Sequence, residues 1–257
     1  MFVTGNAAID LSGRVAIVTG GTRGLGSRIA AALASVGCKV VVCGRNAPSD
    51  LPPGVTFHAA DVRDPDQAKA LVDAVVAENG RLDILVNNAG GSPHAEAATA
   101  SPRFFDAIIK LNLSSAMYMA QAAHAPMQAA GGGSVINIAS VSGIRPSPQT
   151  AAYGAAKAGL LNLTQSLAQE WGPQRIRVNA IVVGLVETES TAETYGDADA
   201  QAKVAASLPL GRMGSGDDVA GAVLWLCSDL AGWVSGARIN VDGGGERPYF
   251  LDLVKGS

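Results

Sequence analysis

Residues 14–19 read Arg-Val-Ala-Ile-Val-Thr, and the chain passes from them directly into Gly20-Gly21-Thr22-Arg23-Gly24-Leu25-Gly26 and an alanine-rich stretch to about Val36. A β-branched run without a polar face is a strand buried on both sides. The glycines turn the chain, the alanines carry it as a helix, and Gly37 suits a left-handed cap. A strand buried on both faces needs helices above and below it. This one junction therefore argues for a parallel sheet sandwiched between helical layers.

The rest of the chain repeats that alternation. Strands are expected at 39–43, 55–59, 82–86, 134–139, 176–181 and 238–241, and helices at 65–79, 101–130, 150–171 and 217–228. Ser101-Pro102 forms an N-cap followed by proline in the first turn, and Pro126 is expected to kink or break the end of that long helix. Residues 44–54 hold three prolines and cannot form a regular helix. No linker, repeat or low-complexity tract divides the 257 residues. The expected fold class is α/β: a single-domain, doubly wound (Rossmann) parallel sheet of seven strands with helices on both faces, its core at 11–244.

In such a sheet the crevice beyond the strand ends is the ligand site, and a helix N-terminus there favours phosphate. The spacing Gly20-x-x-x-Gly24-x-Gly26 differs from the common Gly-x-Gly-x-x-Gly fingerprint, but its place after the first strand points to a nucleotide. At the end of the second strand an acidic residue would bind ribose hydroxyls and select NAD. Gly44 and Arg45 stand there instead, and Arg23 lies in the glycine turn. Two guanidiniums with no carboxylate to repel a 2′-phosphate point to NADP(H); the alternative is that both are solvated surface charges. Farther along, Tyr153 and Lys157 are four apart in a helix-compatible stretch and share one helical face. A free phenol, with a pKa of about 10, is a poor acid or base at neutral pH. A fixed ammonium one turn away is expected to lower that pKa and make a general acid/base; the alternative is a helix with a solvated lysine.

Taken together, Thr19-Gly20-x-x-x-Gly24-x-Gly26, Asn87-Asn88-Ala89-Gly90, Ser140 and Tyr153-x-x-x-Lys157 resemble the short-chain dehydrogenase/reductase family over 11–244. With Val241-Asp242-Gly243-Gly244 after the last strand, the chain looks most like the 3-oxoacyl-carrier-protein reductase type. The resemblance implies a general acid/base at Tyr153, with Lys157 lowering its pKa and holding the nicotinamide ribose. It implies a hydrogen bond from Ser140 to the substrate oxygen, and a water-borne proton relay from Asn112 to Lys157. Cofactor contacts are implied at Gly20, Thr22, Arg23, Gly24, Leu25, Gly26, Gly44 and Arg45. They are implied also at Asp61 and Val62 beside the adenine, at Asn88, Ala89 and Gly90 beside its ribose, and at Gly184, Val186 and Thr188 toward the nicotinamide. Asp61 could instead cap or turn the chain before Pro65, Asn112 could bond backbone within its helix, and Ser142 rivals Ser140.

The implied reaction is NADP(H)-dependent reduction of a ketone, a 3-oxoacyl thioester or another small or alicyclic ketone, reversible to alcohol oxidation. The alternatives are an NAD-dependent alcohol dehydrogenase for a steroid, sugar or polyol, and a dinucleotide-sensing regulator without catalysis. The family also implies a homotetramer, and Ala151, Ala152, Ala155 and Ala156 permit close helix packing. Two departures stand out: Val183-Gly184 replaces the family's Pro-Gly, and no helix fits between strands two and three. Residues 185–213 read as a lid whose acidic residues argue against a strongly anionic substrate. The tail 245–257 carries Tyr249, Phe250, Leu251 and Leu253 and is expected to pack on a pocket or a neighbouring subunit.

A net charge of −3 gives no basic face for nucleic acid or anionic membrane. No run is long enough to span a bilayer and no leader pattern is seen, so the expected location is cytoplasmic. Cys38, Cys43 and Cys227 read as buried thiols, and His58, His94 and His124 form no metal-ligand cluster. His94 either borders the substrate pocket or is an exposed loop residue.

Overall fold

In the computed structural model, which describes residues 9–189 and 191–248, the first strand, β1 (Val15–Thr19), lies between β2 (Lys39–Gly44) and β4 (Ile84–Asn87). With β3 (Val55–Ala59), β5 (Gly133–Ser140), β6 (Ile176–Val183) and β7 (Arg238–Val241) they form one seven-stranded sheet in the order β3-β2-β1-β4-β5-β6-β7. Every pairing is parallel. The chain winds one way from β1 to β3 and the other way from β4 to β7. The reversal opens a crevice at the carboxyl ends of β1 and β4.

Strand side chains alternate between two cores. Ala16 and Val18 face α1 (Gly24–Ser35) and α8 (Gly216–Cys227). Val15 and Ile17 face the layer of α2 (Pro65–Asn79), α4 (Ser115–Ala129) and α5 (Ala151–Trp171). This double burial is why the strands are apolar throughout. As expected, no helix joins β2 to β3. The three cysteines are buried free thiols, and burial pushes each up to about 12, which leaves them inert as nucleophiles. Among the described residues no helix is long and apolar enough to cross a membrane.

Two expectations are corrected. The fourth strand starts at Ile84 rather than at Leu82; Asp83 just before it bonds Val15 O and Ser134 N through its backbone, and its carboxylate accepts Val15 N–H at 2.9 Å and is gripped by Arg81. The long helix holds its expected span, 102–129, with one irregularity. It divides into α3 (Pro102–Ile109), a π-type turn at Lys110–Ser114, and α4. Pro126 does not end the helix: α4 runs on to Ala129, and the missing N–H costs one backbone bond, to Ala122 O. The stretch 185–213 contains two short helices, α6 (Thr191–Tyr195) and α7 (Ala198–Ser207). The apolar tail residues from Tyr249 onward lie outside the described residues.

A buried polar chain ties α5 to the sheet. Asn87 Nδ2 donates to Asn137 Oδ1 at 2.9 Å, Asn137 Nδ2 donates to Thr164 Oγ1 at 2.9 Å, and the threonine hydroxyl donates to Leu160 O. Thr164→Val keeps the shape but strands the Asn137 amide. It should lower stability by about 1–3 kcal/mol, the cost of a buried unsatisfied donor. Urea unfolding with a lower midpoint and unchanged slope checks this, and an unchanged midpoint would deny the chain its structural role.

Candidate active site

The glycine turn is drawn tight against the sheet. Gly20 N–H donates to Cys43 O at 2.9 Å. A Cβ on Gly26 would sit 2.4 Å from Gly20 O and 2.5 Å from Asn88 Nδ2, so no larger residue fits there. Asn88 braces the turn, donating to Thr19 O at 2.9 Å and Gly20 O at 3.1 Å. Its side chain is thereby engaged by protein, and only its surface is left to face a ligand. The N-terminus of α1 already attracts an anion: Gly24 N–H donates to the Glu189 carboxylate at 3.1 Å.

Around this turn lies a cavity of about 510 Å³. It brings together Gly20, Thr22, Arg23, Gly24, Leu25, Gly26, Gly44, Arg45, Asp61, Val62, Asn88, Ala89, Gly90 and Thr188, as expected from sequence. Asp61 is no helix cap; that role falls to Asp64, which accepts from Asp66 N and Gln67 N. Asp61 is gripped by Arg63, with contacts of 2.5 and 2.8 Å, and this hydrogen bonding holds its carboxyl below the ordinary value, with help from Arg45.

A second cavity of about 600 Å³ continues from the first, sharing Leu25, Asn88, Gly90 and Thr188 with it. Ser140, Tyr153, Lys157, Gly184 and Val186 line this half. So do exposed His94 and the rival Ser142. Gly184 is required for a reason other than ligand approach, since a Cβ there would lie 2.6 Å from the Asp242 Cα. Ser140 stands at the end of β5, and α5 carries Tyr153 and Lys157 across from it.

The electrostatics correct the simplest expectation. The Tyr153 phenol is pushed up, not down: burial raises it, a hydrogen bond with Ser140 opposes this, and the facing Tyr195 phenol raises it further. The ammonium does not pull it down because Lys157 Nζ donates to Ile138 O at 2.7 Å and lies 5.5 Å from the Tyr153 ring centre. Lys157 is itself 3% exposed, and burial pulls its pKa down to about 8. At neutral pH the pair is thus a protonated phenol beside a charged amine, a set poised to donate a proton.

Asn112 sits in the π-type turn, almost fully buried. Its amide donates to Ile108 O at 3.0 Å and Gly91 O at 2.9 Å and accepts Gly91 N–H at 2.8 Å. It bonds backbone, as the plainer reading had it, but it also pins the loop after β4. A Cβ on Gly90 would meet both Asn112 Oδ1 at 2.7 Å and Lys157 Nζ at 3.3 Å, so the structure brings the asparagine and the lysine to one spot.

A family model described as Enoyl-(Acyl carrier protein) reductase matches residues 20–246. The chain belongs to the short-chain dehydrogenase/reductase family. It is 37% identical to the 2-dehydro-3-deoxy-D-gluconate 5-dehydrogenase of Escherichia coli (strain K12), with 93% of this chain and 97% of the relative covered. It is 35% identical to the 3-oxoacyl-[acyl-carrier-protein] reductase FabG of Chlamydia trachomatis, with 91% and 98% covered. A crystal structure from Sinorhizobium meliloti 1021, described as that of a short-chain alcohol dehydrogenase, superposes with a TM-score of 0.85 at 38% identity over 92% of this chain and 97% of that one. This short-chain dehydrogenase/reductase is therefore an oxidoreductase of alcohols and ketones that uses a nicotinamide dinucleotide.

Several residues of this short-chain dehydrogenase/reductase site were invisible to motif reading. Arg145, Ser147, Thr150 and Thr194 line the second cavity from loops or a short helix. Only their nearness to Ser140, Tyr153 and the lid could have marked them.

Lys157 also sets a stability test. Its folded pKa, about 8, lies below its ordinary 10.5. Between those values the unfolded chain holds more protons, so the lysine's contribution to stability rises with pH. Lys157→Met should keep or raise the melting temperature at pH 7 while reducing turnover at least about a hundredfold. Its stability difference from wild type should shrink above pH 8 and vanish past 10.5. Scanning calorimetry from pH 7 to above that value checks both sign and window.

Proposed function

We propose that the protein interconverts a small polar ketone and its secondary alcohol using NADP(H). The observation that carries the reading is the continuity of the trough. A glycine-lined half fit for a dinucleotide runs directly into a half holding Ser140, Tyr153 and Lys157. The fit of the first half rests on the helix N-terminus that already holds a carboxylate. A regulator without catalysis would have no use for all three of these side chains in one place.

The nicotinamide, when bound, supplies or accepts the hydride. The chain does the proton chemistry. Ser140 and Tyr153 lie side by side in the second half, and both hydroxyls can turn to donate to one carbonyl oxygen. As negative charge gathers on that oxygen, the phenol gives up its proton, and the raised pKa keeps it protonated and ready until then. Lys157, charged at neutral pH, puts a cation on the floor of this half, and Asn112 holds the loop against which the lysine packs. In the oxidative direction the same groups run in reverse.

Arg23 and Arg45 support NADP(H). Both are exposed and line the nucleotide half, and among the described residues neither is held in a salt bridge. The end of β2 is Gly44, with no carboxylate to repel a phosphate. Polar walls support a hydroxylated substrate: Ser92, Ser142, Ser147, Thr150 and Thr194 put hydroxyls along the second half. Of the two relatives above, the one named for a deoxygluconate suits such walls better than the one named for an acyl chain.

Two experiments test this. Tyr153→Phe should cut kcat at least about a hundredfold in an NADPH-consumption screen over hydroxylated ketones, and a fully active variant would remove the phenol from the chemistry. Arg45→Ala should reduce the ratio of kcat/KM for NADPH over NADH by about tenfold or more, the worth of one charge-assisted hydrogen bond. A wild type that favours NADH, or a ratio untouched by the substitution, would overturn the NADP(H) assignment.

A further inference from the structure

The substrate half of the trough has an unbalanced charge. Among its described lining residues there is no aspartate or glutamate, yet two side chains that are cationic at neutral pH, Lys157 and Arg145, line it. Lys157 lies on the buried floor with its ammonium on Ile138 O. Arg145 is at the rim, in the turn that follows β5, five residues beyond Ser140.

The lid does not balance that charge. The acidic content of 185–213 argued against an anionic substrate, but its carboxylates face elsewhere. Glu189 accepts from Gly24 N at the other end of the trough, and Asp197 caps α7 by accepting Ala200 N–H at 3.0 Å. Glu187 faces Arg212, and Glu193 is exposed on α6. Lid acidity therefore gives no ground against an anionic substrate in this half, which no lid carboxylate among the described residues lines.

Arg145 has instead recruited a carboxylate from a distance. Its Nη2 donates to Glu246 Oε1, and its Nη1 donates to Pro146 O at 3.2 Å. Glu246 is not a wall of the cavity. It is presented there by Gly243, Gly244 and Gly245, three successive left-handed residues with φ of +66°, +97° and +78°. The pair faces the lid, since the charges of both Arg145 and Glu246 act on the Tyr195 phenol. Both partners are more than a third exposed, at 37% and 41%. An ion pair of that exposure contributes about 0–1 kcal/mol. A guanidinium that grips a ligand carboxylate with two charged hydrogen bonds inside a closing crevice gains more.

We propose that Arg145 anchors a carboxylate on the substrate, at the end remote from the reacting carbonyl, and that Glu246 is the carboxylate it releases in exchange. The substrate class is then a short oxo acid and its hydroxy acid. This rests on the reading that Ser140 and Tyr153 hold the carbonyl, because that reading defines the remote end.

The test compares 4-oxopentanoate with its methyl ester, two probes alike except for charge. Their affinity for the enzyme–NADP⁺ complex is measured by calorimetry, where no turnover occurs, and their reduction by NADPH is followed separately. Wild type should bind the acid at least about tenfold more tightly than the ester. In Arg145→Gln the acid's affinity should fall to that of the ester, and Arg145→Lys should recover only part of it, having lost the paired geometry. Glu246→Gln, which removes the competitor, should tighten the acid by about threefold, the worth of an exposed ion pair. Equal binding of acid and ester by wild type, no binding of either at millimolar concentration, or a preference that survives in Arg145→Gln overturns the anchor. Should Arg145→Gln fail to fold, an acid affinity unmoved in both Arg145→Lys and Glu246→Gln overturns it as well. A preference for the acid that depends on Arg145, together with no reduction of any ketone tried, would uphold the anchor and sink the reaction instead.

Discussion

A lysine ammonium is buried at the floor of the crevice, and among the described residues no carboxylate pairs with it. Burial costs a charge dearly unless polar groups replace its water, and here the recorded partner is one carbonyl, Ile138 O, at 2.7 Å. The surroundings are arranged to keep it there. Ile138 is fixed in β5 between β4 and β6, and α5 is tied to the same sheet through Asn137 and Thr164. Gly90 gives the ammonium space that a side chain would fill. The depressed pKa measures what the fold gives up in stability, and a cation at the reacting end of the trough is what it gains.

The π-type turn belongs to the same arrangement. Within it the Asn112 amide donates to Ile108 O and closes on both backbone groups of Gly91. One side chain on the widened turn thus fixes the loop lining both halves of the trough. Such π-type bulges inside α-helices are frequent at functional sites.

Much of this was legible in the chain because it is local. The β1 turn, the left-handed Gly37 after α1, the prolines that forbid a helix after β2 and the Tyr153–Lys157 spacing each follow from a few neighbouring residues. The glycines and Asn88 line the first cavity, although what Asn88 does with its amide was not readable. The failures share a physical origin. The direction of the Tyr153 shift depends on burial and on where the Lys157 amine points, and neither is a property of spacing. The break at Asn112 looks like ordinary helix because its stabilising partner, Gly91, lies 21 residues away. Arg145 and Glu246 are 101 residues apart, and no motif connects them.

Anion sites on a protein tend to be found first by the protein's own carboxylates. This trough shows it at both ends: Glu189 at the helix N-terminus where a phosphate would sit, and Glu246 on Arg145. A carboxylate at an exposed helix N-terminus gains about 0.3–1 kcal/mol, much the same as an exposed ion pair. Each is strong enough to orient a side chain and weak enough to yield to a ligand that brings more bonds. One carboxylate comes from the lid segment and the other from the glycine run beyond β7, the two segments least held by the sheet. The N-terminus of α1 and the turn after β5 therefore supply the positive groups, and the lid and the glycine run supply the anions that can be exchanged. That division lets a ligand's charge act on the segments that border its site without any change in the sheet.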